Sequence, residues 1–160
     1  VIENVRMAVR TTAGAGDVMF RTRKFAATEQ EALLRARNLV ELVGLAERAD
    51  DKAGSLPYGQ QRLVEIARAL AGNRKLLLMD EPGAGMNGEE LKLLQSLITR
   101  IRRDFHVSIL LVEHNVDFVL HLSDRIVVLD HGIVIASGTP SEVIRNPQVI
   151  EAYLGGKCHD

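Results

Sequence analysis

Two acids side by side, Asp80 and Glu81, close the apolar run Leu76-Leu77-Leu78-Met79. A short continuous run of that kind suits a parallel strand covered on both faces. Acids at the carboxyl end of such a strand lie at the crevice where open α/β sheets take their ligands. Carboxylate oxygen suits a hard cation such as Mg²⁺, which bridges nucleotide phosphates, so Asp80 is a candidate to hold it, usually through water. Adjacent strand residues point to opposite faces, which frees Glu81 to orient a water as general base for attack on a terminal phosphate. His114 follows the next apolar run, Val107 to Val112, with similar placement. There it could donate to a γ-phosphate or steady the attacking water. Each has an ordinary alternative: paired acids after an apolar run also cap helices, and a histidine after a strand is often a turn residue.

Upstream, Leu56-Pro57-Tyr58-Gly59-Gln60 precedes a helical pattern. A glycine-containing loop that opens a helix presents free amides at the positive end of the helix dipole and so makes a ready anion site. The same residues also read simply as a helix start.

Helices and strands in alternation must carry these residues. Thr28 and Glu31 form a capping-box pattern and open a helix to about Val43, with Leu33, Ala36, Val40 and Val43 on one face and Gly44 as its left-handed stop. A second helix is expected over Gly59 to Ala71, with Leu63, Ile66, Ala67 and Leu70 inward and Arg62, Glu65 and Arg68 toward water. After the strand at Leu76, Asn87 and Glu90 make another capping box for a helix that turns Leu91, Leu94, Ile98 and Ile101 toward the sheet. A second buried strand is expected over Val107 to Val112, and a short helix follows through Leu122. Arg125 to Leu129 and Ile133 to Ala136 read as an antiparallel hairpin turned at His131-Gly132. Thr139-Pro140 and Asn146-Pro147 each place a cap before a proline, which predicts two short closing helices. The order implies an α/β domain with a mainly parallel sheet.

Bulk properties bound the rest. The chain has 160 residues and is 46% hydrophobic, enough for one sizeable core. Twenty Lys and Arg against 21 Asp and Glu give a net charge of -1, so no global field draws it to nucleic acid or anionic lipid. The sole cysteine, Cys158, excludes an intrachain disulfide framework and fits a reducing compartment. No apolar stretch approaches the roughly 20 residues that span a bilayer.

Taken in order, LPYGQQRLVEIARAL, LLLMDEP, AGMN and LLVEHNV resemble the ABC ATPase family over Ser55 to about Leu154. The resemblance implies a partial P-loop NTPase fold of α/β class, with an inserted helical subdomain and a C-terminal hairpin plus short helices. It implies ATP and Mg²⁺ as cofactors, Asp80 as the magnesium residue, Glu81 as the catalytic base and His114 as the switch histidine. Leu56, Pro57, Tyr58, Gly59 and Gln60 would be the signature that grips the ATP of an opposing subunit, and Ala84, Gly85, Met86 and Asn87 the D-loop that contacts that subunit. The family signature is Leu-Ser-Gly-Gly-Gln, and two positions differ here. Tyr58 is familiar in the ATPases of branched-chain amino acid importers. Pro57 removes a hydroxyl and an amide that could both donate to phosphate, which puts the site's competence in question.

The ending GTPSEVIRNPQVIEAYLG also resembles the branched-chain importers, with lipopolysaccharide-export ATPases sharing a similar one. A resemblance to the importers implies a second ATPase subunit in a homo- or heterodimer, transmembrane permease subunits and, indirectly, an extracytoplasmic binding protein. It implies no nucleic acid, and a cytoplasmic, peripheral place at the membrane. Lipid or lipopolysaccharide export and a catalytically impaired remnant are the alternatives. No Gly-x-x-x-x-Gly-Lys-Ser/Thr cradle and no identifiable glutamine loop occur. Together with the start at Val1, this reads as a piece of a longer subunit, inactive alone. The expected divisions are a helical, signature-bearing part at 1–72 with a mobile N-terminal segment, the α/β core from 73 to 155, and a tail at 156–160.

Overall fold

The computed structural model describes residues 1–9, 23–72 and 74–154. The stretch 1–27 was expected to be a mobile connection with some helix; its part at 10–22, like the tail at 156–160, lies outside the described residues, and helix is present at Ile2–Arg6 and from Arg23 onward. The chain forms two compact units, Val1–Leu110 and Leu111–Asp160.

The first unit begins with helix α1 (Ile2–Arg6), which buries Ile2 and Val5. Arg6 binds Glu3 and Glu29 and so ties α1 to α2 (Arg23–Leu42). Here the structure departs from the capping box expected at Thr28, because α2 is already formed at Arg23. Arg, Lys, Phe and two alanines before Thr28 all tolerate helix, so an internal Thr and Glu at cap spacing do not start a new one. The buried face is Ala32, Ala36, Leu39, Val40 and Val43, which adds Ala32 and Leu39 to the pattern expected and leaves Leu33 only half-buried. Gly44 at φ 76° stops the helix as expected, and the Leu45 amide returns to the Val40 carbonyl at 2.9 Å.

Two 3₁₀ turns, Ala46–Arg48 and Ala53–Ser55, lead to α3 (Tyr58–Ala71). Its inner face carries Val64, Ile66, Ala67, Leu70 and Ala71. The three helices α1, α2 and α3 pack on one another. Strand β1 (Leu76–Asp80) alternates, with Leu77 and Met79 buried but Leu76 and Leu78 52% and 67% exposed. The expectation of a strand covered on both faces is therefore corrected. Leu77 shares a small cavity with Ala69 and Leu70 of α3 and with Phe105 and Val107, so helices cover that side alone.

Helix α4 (Gly88–Phe105) starts at the Asn87–Glu90 capping box as expected, with both reciprocal bonds formed. It buries Leu94, Ile98 and Ile101 and ends at His106 in the left-handed conformation. Strand β2 (Ser108–Val112) pairs with β1 in a small parallel sheet, with the Ser108 amide 2.9 Å from the Lys75 carbonyl; it was expected to be buried, but Leu110 and Val112 are exposed.

The second unit carries α5 (Val116–Leu122), capped by Asn115, and the antiparallel pair β3 (Ile126–Asp130) and β4 (Ile133–Gly138). His131 and Gly132 both have positive φ, 45° and 80°, as a two-residue turn of this hand requires. The hairpin is a separate two-stranded sheet. Helices α6 (Pro140–Val143) and α7 (Pro147–Val149) begin at their prolines as expected, and α7 runs on into a π turn at Ile150–Leu154. Ile126, Val143 and Val149 form this unit's core, with Val119, Leu120 and Val128 packed against it.

Candidate functional site

Strand β1 delivers Asp80 to its carboxyl end with the carboxylate exposed. The pleat stops there. Glu81 has φ 42°, in the left-handed region that non-glycine residues rarely take, so its direction is set by a turn rather than by strand alternation. The Ala84 amide closes that turn onto the Glu81 carbonyl at 3.1 Å, with Pro82 and Gly83 buried inside it. A second turn follows at once: the Met86 amide reaches the Gly83 carbonyl at 3.1 Å, and Gly85 takes φ 74°. Asn87 then begins α4. Residues Ala84, Gly85, Met86 and Asn87 are thus held between a strand end and a capped helix. The left-handed Glu81 costs roughly 1–3 kcal/mol, and strain of that size clusters where function requires a set geometry.

The Leu56-to-Gln60 segment is anchored by Leu56, which is buried and whose carbonyl accepts a 2.8 Å bond from the Gln61 side chain. Pro57 is the N-cap residue of α3, one position earlier than a first-turn proline, and supplies no side-chain cap. The opening amides of Tyr58, Gly59 and Gln60 therefore stand at the positive end of a 14-residue helix without a side-chain acceptor. That donor set fits an anionic phosphate. Exposed Asp80 fits a hard cation, and among the described residues no cluster of three or more His, Cys, Asp or Glu forms a closed cage. A cation at Asp80 would take most of its oxygens from nucleotide and water.

The structure brings these two segments together. A Cβ built on Gly59 would come 3.6 Å from Met86 Cε and 3.7 Å from Glu90 Oε1, and one built on Gly85 would come 3.6 Å from the Tyr58 ring. Arg62 was expected on the wet side of its helix. It instead lies half-buried against Tyr58, its guanidinium 5.0 Å from the ring centroid and bonded at 2.5 Å to the phenol oxygen. A second bond at 2.7 Å joins it to Glu65, and these hydrogen bonds raise its pKa further above the ordinary guanidinium value. The i, i+4 spacing of Tyr58 and Arg62 was the signal in the sequence that could have revealed the pair.

His114 belongs to the second unit. Its imidazole is 72% exposed, while the neighbouring Glu113 side chain is only 2% exposed. The His114 amide donates to Glu113 Oε2 at 3.2 Å, and its Nδ1 lies 3.9 Å from the same oxygen.

Comparison with known proteins places this geometry in context. A family model described as ABC transporter matches residues 3–84, and one described as branched-chain amino acid ATP-binding cassette transporter matches 134–159. The chain is 42% identical over 157 residues to the high-affinity branched-chain amino acid transport ATP-binding protein LivG of Salmonella typhimurium, covering 97% of this chain and 62% of the relative. It is 44% identical over 137 residues to the corresponding protein BraF of Pseudomonas aeruginosa, covering 86% and 54%. It thus spans less than two thirds of either relative. Among solved structures, an ATP-binding cassette of an ABC transporter in its ADP conformation matches with a TM-score of 0.74 at 30% identity, over 96% of this chain and 62% of that one.

Proposed function

Because this chain belongs to the ABC transporter family, we propose that it is the signature- and Walker B-bearing part of an ATPase subunit that powers branched-chain amino acid import. One observation carries the reading: the uncapped start of α3 and the 84–87 loop lie side by side, as two segments that both meet an opposing subunit would. The substrate class is supported by the match at 134–159 and by the relatives' names. Export of lipid has no comparable support.

When bound, Mg²⁺ and ATP supply the electrophilic γ-phosphate and the cation that neutralises it. Asp80 would hold the cation at the strand end. Glu81, set by its turn, would accept the proton of the attacking water, and His114 would orient that water or donate to the phosphate. The amides of Tyr58, Gly59 and Gln60 would receive the phosphate charge of the opposing subunit's nucleotide. Ala84, Gly85, Met86 and Asn87 would shape the water site. The parts of the chain would be a signature-bearing 1–72 and an α/β core at 73–155. No helix among the described residues is long and apolar enough to cross a membrane, so a permease would provide the pathway.

The reading is tested by reconstituting the complete subunit with its permease and an extracytoplasmic binding protein in vesicles. ATP-dependent uptake of leucine, isoleucine or valine is the expected result. Lipid movement without amino acid uptake would overturn it.

Pro57 favours a second reading, an impaired ATPase, and Pro57→Ser separates the two. A serine N-cap adds about 1 kcal/mol, and losing proline's restraint on the unfolded chain costs about 0.4–1 kcal/mol, so stability should barely move. The new hydroxyl can donate to phosphate, and a charge-assisted bond of about 1.5 kcal/mol corresponds to roughly tenfold in kcat/KM. Steady-state ATP turnover of the complete subunit should rise by about that factor if proline limits the site. An unchanged value shows that the backbone amides suffice.

A further inference from the structure

Tyr58 occupies the first position of α3, and its side chain faces two neighbours at once. One is Gly85, where the left-handed backbone (φ 74°) carries no Cβ; a Cβ there would stand 3.6 Å and 3.8 Å from Cδ1 and Cε1 of the ring. The other is Arg62, one turn along α3, which stacks on the ring and donates to its hydroxyl. Arg62 is in turn held by Glu65. The next residue, Gly59, lies against Met86 and Glu90, and the Glu90 carboxylate accepts the Asn87 amide at 2.9 Å. One face of the half-exposed Tyr58 ring is thus turned to the Cβ-less side of Gly85, and Gly59 is turned to the side chain of Met86. A smaller side chain at position 58 would remove the ring that faces Gly85 and leave Arg62 without its stacking partner.

We infer that Tyr58 is a positioning residue, a clamp that joins the 84–87 loop to the signature helix of its own subunit. Its consequence for catalysis rests on the function proposed above: the segment that grips the opposing nucleotide and the segment that shapes the water site then move as one piece. The clamp itself rests only on the contacts of Tyr58, Gly85 and Arg62. Its working part is the ring, since the hydroxyl touches Arg62 and not the loop.

The experiment compares Tyr58→Ala and Tyr58→Phe in the complete subunit by amide hydrogen exchange and ATP turnover. Tyr58→Ala should speed exchange of the Ala84 and Met86 amides at least about tenfold while the amides of β1 and mid-α4 keep their protection, because only a local opening is released. It should lower kcat about tenfold with KM for ATP within about twofold, because the loss is one of alignment. Tyr58→Phe should recover both. The inference is overturned if loop exchange and kcat in Tyr58→Ala stay within about twofold of the unaltered protein, or if β1 and α4 lose protection equally, which would make Tyr58 an ordinary packing residue. If the unaltered subunit turns over no ATP, the proposed function fails, and the exchange measurement still decides the clamp.

Discussion

Glu81→Gln in the complete subunit is expected to lower ATP turnover by about 10²–10⁴-fold, the usual effect of removing a general base, while ATP binding persists. Glutamine keeps the size of the side chain and most of its hydrogen bonding but cannot accept the water's proton. Turnover falling less than about tenfold would show that another group takes the proton and that the role proposed for Glu81 is mistaken. The backbone at Glu81 makes the same site informative about stability. A residue at φ 42° is strained unless it is glycine or, to a lesser degree, asparagine or aspartate. Glu81→Asn should therefore abolish turnover to the same degree while raising stability relative to Glu81→Gln, by up to about 1 kcal/mol. Such an exchange of stability for activity is what a strained active-site residue implies. Equal stability of the two variants would mean that the turn from Glu81 to Ala84 stores no strain.

Ile101→Ala should be the most damaging single change to the fold of this chain. The side chain is fully buried in α4, and truncating a buried isoleucine to alanine costs about 2–5 kcal/mol in lost transfer energy and cavity. Leu93 on the same helix is 71% exposed, so Leu93→Ala removes a similar side chain with an expected effect of only about 0.5 kcal/mol. Urea unfolding of the two variants side by side removes helix propensity from the comparison, since both become alanine. Similar midpoints would show that α4 does not pack as described. The test bears on function because α4 is the support for Asn87 and hence for the loop that precedes it.

Much of this molecule was legible before any coordinates. The capping box at Asn87–Glu90 is a local arrangement of neighbouring groups, and it forms as the spacing implied. The His131-Gly132 turn and the proline starts of the last two helices are equally local. Thr28 shows the limit of that kind of inference. Its spacing to Glu31 satisfies the capping rule, yet the helix runs through it, because the rule describes how a helix can start and not whether the preceding residues are already helical. Arg62 shows another limit. A guanidinium on the polar side of a helix reads as solvated, and the structure leaves it half-buried against the ring of Tyr58 one turn away.

The segments from Leu56 to Gln60, at Asp80-Glu81 and from Ala84 to Asn87 carry the candidate chemistry. The sequence by itself determined which groups those are, their order, and the elements that carry them, because side-chain type, capping and hydrophobic period act within a few residues. Tertiary structure decided that Glu81 leaves the pleat in a left-handed turn, that β1 is buried along only one face, and that the Tyr58 ring faces Gly85. Tyr58 and Gly85 are brought together across 26 intervening positions by the packing of α3, β1 and α4, and contacts of that range depend on how whole elements pack, which no local pattern of residue types encodes.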